Sequence, residues 1–278
     1  MVLAVAAAVL LSGCSADTRR GFLPGYDNGQ VTNMTGRITH LWTGTWTAAL
    51  AVGVITWGLI IWSVVVYRKR RDDDTLPIQT RYHVPLEIMY VVLPLFMIGV
   101  LYFYTERDMS AIKDTSKTPD VTIEVIGKRW SWDFNYLDSG VWESGTQIDD
   151  PGTVKLGDPR LPTLYLPLGK RVEFKLESRD VIHSFWVPAF LYKEDLIPGR
   201  TNTFQIVPER KGMYLGKCAE LCGEYHSGML FQVDVVSPEE YQAQMERLRS
   251  AGQVGKLGLD LNPADHPGAN PTTPKQEG

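Results

Sequence analysis

Cysteine is scarce, with three in 278 residues, too few for a disulfide framework. No C-x-x-C-H motif occurs, so a covalently attached c-type haem is excluded. Basic residues are not in excess: 28 Lys and Arg face 32 Asp and Glu, for a net charge of -4. The concentrated basic surface of a nucleic-acid binder is therefore missing. No internal repeat is found. Apolar residues, by contrast, are plentiful at 44%, with eight tryptophans, which excludes a disordered or collagen-like chain. They are unevenly spread. The first third is strongly apolar, and the remainder reads as a soluble domain followed by a polar tail.

Met1 to Leu11 is an almost unbroken apolar run, followed by Ser12, Gly13 and Cys14. Such a run is too short to cross a bilayer and reads as an export signal over 1–13. The Leu-Ser-Gly-Cys ending resembles a bacterial lipobox, which makes Cys14 the expected lipid acceptor and 14–40 an exported N-terminal segment. No Lys or Arg precedes the run, as the start of a signal should have, so a true start upstream of Met1 is expected.

Two longer runs, 41–67 and 84–104, can each cross ~30 Å of hydrocarbon. Trp42 and Trp46 near one end of the first, and Trp62 and Tyr67 near the other, fit interfacial aromatic belts. Pro85, Pro94 and Gly99 in the second are tolerated in a membrane span. Arg68-Lys69-Arg70-Arg71 lies in the loop 68–83, which the positive-inside rule places in the cytoplasm. The N-terminus and everything after the second span then lie outside, in agreement with the export signal. Glu87, at the mouth of the second span, is a functional candidate because ionisable groups near a span seldom occur without a role.

From about Pro119 the apolar period changes to two. Val121, Ile123 and Val125 alternate with polar residues, as do Val172, Phe174 and Leu176, and Phe231, Val233 and Val235. Broken by Gly, Pro and Asp turns, this pattern predicts an antiparallel sandwich or barrel within 105–236. The stretch from Val141 to Pro162 reads as a long loop. Ser237-Pro238-Glu239-Glu240 opens a helix expected over 237–250, and 251–278 is expected to be a disordered polar tail.

The chemistry is concentrated between Cys218 and Met229, where Cys218, Cys222, His226 and Met229 fall within twelve residues. His183, upstream at the edge of an apolar strand, can meet them at one rim of a sandwich. Soft thiolate and thioether ligands favour copper over magnesium or calcium. A disulfide or a structural zinc would use the same cysteines, but the first leaves His226 and Met229 unexplained and the second needs no methionine. A mononuclear blue-copper site leaves one thiol over. Two thiolates can instead bridge two metal ions.

C-x3-C-x3-H-x2-M, preceded by the His183-Ser184-Phe185-Trp186-Val187-Pro188 segment, resembles subunit II of haem-copper cytochrome c oxidases at its dicopper centre, CuA. The resemblance runs from the first span through the helix after Ser237. It implies a membrane-anchored α+β fold, an N-terminal transmembrane helical hairpin followed by an exported all-β cupredoxin-like Greek-key barrel. It implies two copper ions held by His183, Cys218, Cys222, His226, Met229 and the carbonyl of Glu220. The Glu220 side chain would also reach a Mg or Mn ion shared with subunit I. Within Gly127-Lys128-Arg129-Trp130, the resemblance makes Trp130 the residue that receives electrons, and makes Glu87 the mouth of a proton path. Expected partners are oxidase subunits I and III, the membrane and a c-type cytochrome. Lys128 and Arg129 beside Trp130 suggest a donor that is tethered or held in a supercomplex rather than steered by charge. The lipobox suggests a bacterial plasma membrane, crossed twice, with the N-terminus and the copper domain on its outer face.

Overall fold

The computed structural model describes residues 15–24, 30–69, 76 and 78–259. The expected signal, Cys14, part of the loop 68–83 and the tail from 260 lie outside the described residues. The chain divides into two compact units, Met1–Phe22 with Ile38–Ala111, and Leu23–Arg37 with Ile112–Gly278.

The first unit carries the one-turn helix α1 (Ala16–Arg19) and most of α2 (Thr35–Val66) and α3 (Val84–Ile112). Both long helices are apolar on all sides, and the most apolar window of each leaves none of its residues buried by protein. Trp57, Ile61, Val64, Leu93 and Phe96 all stand exposed. A surface of this kind is unstable in water and calls for lipid or another protein. Hydroxyls inside α2 are satisfied locally: those of Thr43, Thr45, Thr47 and Thr56 donate to the carbonyls of Thr39, Leu41, Thr43 and Val52. Hydrocarbon requires such internal pairing. The helices run beyond the apolar stretches 41–67 and 84–104, because hydropathy marks what lipid covers while helical hydrogen bonding continues into the polar flanks.

The second unit is a sandwich of two five-stranded sheets. One has the order β3-β2-β1-β5-β8 and the other β4-β10-β9-β6-β7. The strands are β1 Val121–Lys128, β2 Ser131–Tyr136, β3 Val141–Ser144, β4 Thr163–Pro167, β5 Val172–Ser178, β6 His183–Val187, β7 Tyr192–Leu196, β8 Asn202–Ile206, β9 Gly212–Cys218 and β10 Leu230–Val236. β1 with β5 and β10 with β4 pair in parallel, and the remaining neighbours are antiparallel. β5 alternates buried and half-buried residues, as a strand with one solvated face should. The inner faces meet in an aromatic core. Phe185 stacks on Phe231 with ring centroids 4.9 Å apart, and Trp132 meets Phe231 edge-on at 5.1 Å. A Cβ on Gly216 would lie 2.1 Å from the Phe231 ring, so that strand position must be glycine for the ring to fit.

Three features depart from the sequence expectation. The sandwich expected to be antiparallel contains two parallel pairs, because period-two alternation marks strands and not their direction. The loop expected from Val141 begins as β3, which pairs with β2 and buries Val141 and Trp142. Four residues with two large apolar side chains are too short a pattern to stand out. The tail expected from 251 opens with a segment bound to the sheet. Val254 bridges to Val141, and Leu257 is buried. Composition is blind to this because backbone bonds, one leucine and side chains from distant strands hold the segment. α4 (Pro238–Ser250) starts from a complete capping box, in which the Ser237 hydroxyl accepts from Glu240 N–H and the Glu240 carboxylate from Ser237 N–H.

Candidate metal centre

Three adjacent strands present their ends at one rim. His183 opens β6, Cys218 closes β9, and Met229 immediately precedes β10. Ala219 N–H donates to Ser184 C=O and Cys218 N–H to Met229 C=O, so the three segments are laced by backbone bonds. Between β9 and β10 the chain winds through successive turns: His226 N–H to Gly223 C=O, Gly228 N–H to Tyr225 C=O, and Met229 N–H to His226 C=O. This winding turns the C-x3-C-x3-H-x2-M spacing into convergence. The loop is pressed closely: a Cβ on Gly228 would lie 2.3 Å from the Ile148 carbonyl oxygen.

The donor atoms come together without a disulfide. Cys218 and Cys222 are free thiols with Sγ atoms 3.9 Å apart. His183 Nδ1 lies 3.9 Å from Cys218 Sγ, and the Glu220 carbonyl 3.2 Å from the same sulfur. Cys222 Sγ is 3.5 Å from His226 Nδ1 and 3.7 Å from Met229 Sδ. Ligand atoms of His183, Cys218 and Cys222 all fall within 4.8 Å of one another. Each thiol thus has one imidazole of its own, with the carbonyl on one side and the thioether on the other. Two soft sulfurs with two imidazoles suit copper.

Electrostatics prepare the same atoms. The bond from the Cys222 thiol favours Cys218 as a thiolate, and that neighbour, together with burial, keeps Cys222 protonated. A metal held by both sulfurs would take the place of the Cys222 proton. Burial works against a charge on His183, but its bonds to Asp180 and Cys218 outweigh this and raise its pKa. Burial likewise opposes charge on Asp180, and bonds from His183 and from the Arg129 and Val181 N–H groups overcome it and lower its pKa. Asp180 Oδ1 sits 2.7 Å from His183 Nε2. The carboxylate fixes the hydrogen on Nε2, which leaves Nδ1 free to face Cys218. Gly127 makes room for this imidazole, since a Cβ there would lie 2.8 Å from His183 Cδ2.

Trp130 stands half-buried in the turn between β1 and β2, after a cis peptide bond from Arg129. Its indole N–H donates to the Cys222 carbonyl at 3.1 Å, and Tyr225 meets its ring edge-on at 5.0 Å. Trp132 is fully buried and donates to the Met229 carbonyl at 3.3 Å. Lys128 does not lie on the surface beside Trp130. It is buried, with Nζ 2.6 Å from Asp133 Oδ1, and Arg129 pairs with Asp180 at 3.6 Å. The exposed positive charge that suggested a tethered donor is therefore absent at Lys128 and partly neutralised at Arg129. Glu224, next to Tyr225, is exposed, as is Glu220. In the first unit, Glu87 lies in the opening turn of α3, where its carboxylate accepts the His83 N–H at 2.9 Å. Asp180 and Gly127 escaped the sequence reading. An Asp three residues before a candidate ligand histidine was the available signal for the first, and nothing marked the second.

Residues 121–236 match the family described as cytochrome c oxidase subunit II, periplasmic domain. A probable cytochrome c oxidase subunit 2 of Streptomyces avermitilis is 45% identical, covering 85% of this chain and 82% of that protein. The cytochrome c oxidase subunit 2 of Mycobacterium bovis is 36% identical, covering 87% of this chain and 79% of its own. Among solved structures, the periplasmic domain of subunit II of cytochrome oxidase from Bradyrhizobium japonicum is 33% identical, with a TM-score of 0.44, over 49% of this chain and 97% of that one. Identity of 45% across more than four-fifths of both chains carries a plain conclusion: this chain belongs to the cytochrome c oxidase subunit II family.

Proposed function

We propose that this subunit receives single electrons from a c-type cytochrome and passes them to the haem centres of subunit I, where oxygen is reduced to water and protons are pumped. The observation that carries this reading is the convergence of two unbridged thiols, each with its own imidazole, on one rim of a rigid sandwich. His183, Cys218, Cys222, His226, Met229 and the Glu220 carbonyl would hold two copper ions, which supply a one-electron carrier shared between two metals. The protein fills the donor set, so no position is left for a substrate. Strand ends laced by backbone bonds resist movement of the ligands, which keeps reorganisation small. Burial of both cysteines, His183 and Met229 keeps water from them.

Trp130 is the proposed receiving residue, because its indole links the surface to the backbone of Cys222 through one hydrogen bond. The Glu220 side chain is exposed and free to take part in a Mg or Mn site shared with subunit I. Glu87 remains the proposed mouth of a proton path, with its capping bond to His83 holding the carboxylate at the start of α3. The two apolar helices anchor the subunit in a bacterial plasma membrane, with the metal domain outside, between subunits I and III and the donor. Cys14 is the proposed lipid acceptor, and mass spectrometry of the mature N-terminal peptide decides it.

Metal analysis and EPR of the purified oxidase test the central reading. Two coppers with a valence-delocalised signal are expected in this subunit. Cys218→Ser should abolish the signal by removing a bridge. Met229→Leu should keep both coppers and shift the reduction potential, because the thioether is a weak ligand. A single tetrahedral zinc, or a Cys218–Cys222 disulfide in the metallated protein, would sink the reading.

A further inference from the structure

β1 and β2 are buried on both faces, although one face of their sheet points away from the core. The cover is the segment after α4. Trp142 N–H donates to Gln253 C=O at 3.1 Å and Gly255 N–H to Gly140 C=O at 2.9 Å. The Asn135 side chain grips Leu257 twice, donating to its carbonyl at 2.9 Å and accepting its N–H at 2.9 Å. Lys256 pairs with the buried Glu124 at 2.7 Å.

Beneath this cover lies a charge cluster that the copper reading does not use. Asp133 is fully buried and serves two cations, Lys128 at 2.6 Å and Arg179 at 2.9 Å. One carboxylate cannot balance both the buried Lys128 and the partly buried Arg179, and such an excess is costly unless further acceptors are supplied. The Gly258 carbonyl supplies one, accepting from Arg179 at 2.9 Å.

The cluster adjoins the metal site along the backbone on both sides. Arg179 N–H donates to the Gly127 carbonyl at 3.0 Å, and Gly127 is the residue against which the His183 ring packs. Arg179 is followed by Asp180, the partner of His183 Nε2, and Lys128 by Arg129, whose N–H also binds Asp180 at 2.7 Å. We infer that Gln253–Gly258 is a strap that positions His183, acting through Arg179, Asp133 and the Gly127–Trp130 turn. It rests on the copper reading above, since it names what holds one proposed ligand in place. Asp180 and Gly127 meet His183 directly, and the strap acts by fixing the two segments that carry them.

The test compares purified oxidase whose subunit ends at Leu259 with oxidase whose subunit ends at Gly252. Copper release to an external chelator and the histidine nitrogen couplings in EPR are the readouts. The chain lacking the strap should lose copper at least several-fold faster and show altered histidine couplings. Asn135→Ala in the full-length chain, which releases Leu257 without removing any residue of the strap, should move both readouts in the same direction. It decides the matter if the shorter chain does not assemble. Unchanged release and unchanged couplings in these variants would overturn the strap, as would lowered thermal stability with both copper readouts intact. Failure of the chain ending at Leu259 to hold two coppers would instead overturn the copper reading.

Discussion

Single residues here carry tasks that their types alone would not suggest. Lys128 reads in sequence as a surface cation, but its amine is spent on Asp133 inside the protein. Glu143 on β3 illustrates a titration cost. Burial, only partly offset by the Thr163 N–H and by Arg247, raises its pKa from 4.5 to about 6. Between those values the folded chain binds more protons than the unfolded one, so stability falls as pH rises through that window. At neutral pH the charged form costs at most about 2 kcal/mol. Glu143→Gln should therefore raise the unfolding midpoint at neutral pH, and the gain should vanish below pH 4.5. Chemical denaturation of the purified subunit across that range checks it, and a gain independent of pH would remove burial of the charge as its cause.

At the level of elements, the strand ends that gather the metal donors depend on a well-seated sandwich, and α4 helps to close it. The helix buries Tyr241, Met245 and Leu248 in the core. Its register is set at Ser237, where the reciprocal bonds with Glu240 satisfy two end groups of the helix. Ser237→Ala should cost about 1 kcal/mol. Over a domain of this size that lowers the thermal midpoint by about 2–4 °C. The copper signal should be unchanged, because the cap lies outside the donor set. Differential scanning calorimetry with EPR on the same sample measures both.

For the whole molecule, the question is which partner meets the Trp130 surface. With Lys128 internal and Glu224 exposed beside Tyr225, that surface does not repel a cationic cytochrome. Reduction of the centre by such a donor should slow as ionic strength rises, since salt screens exposed charges beyond ~10 Å at 0.1 M. Trp130→Ala should slow the same step while leaving the copper spectrum intact, because the indole bonds to the Cys222 carbonyl and to none of the proposed donor atoms. Stopped-flow reduction across a salt series gives both answers. A flat salt profile would restore the tethered donor, and unchanged kinetics in Trp130→Ala would remove it as the receiving residue.

Two apolar helices, a period-two domain and the C-x3-C-x3-H-x2-M run were all legible in the chain. Hydropathy and alternation are local properties of consecutive residues, and so is the spacing of ligands within one loop. His183 could be named beforehand because its neighbours form a recognisable segment. The second set of facts rests on the folded arrangement. Asp180, in the turn between β5 and β6, is held toward His183 by the Arg129 N–H from the turn after β1, and Gly127 matters because β1 passes against that imidazole. Lys128 turns inward because Asp133 lies across the β1–β2 hairpin, five residues on. A polar segment, 253–258, becomes structural because Asn135, Glu124 and Arg179 from three strand regions meet it. Even where the partners are near in sequence, as with Asp180 and His183, the energies of such contacts depend on burial and geometry that exist once the sandwich has closed.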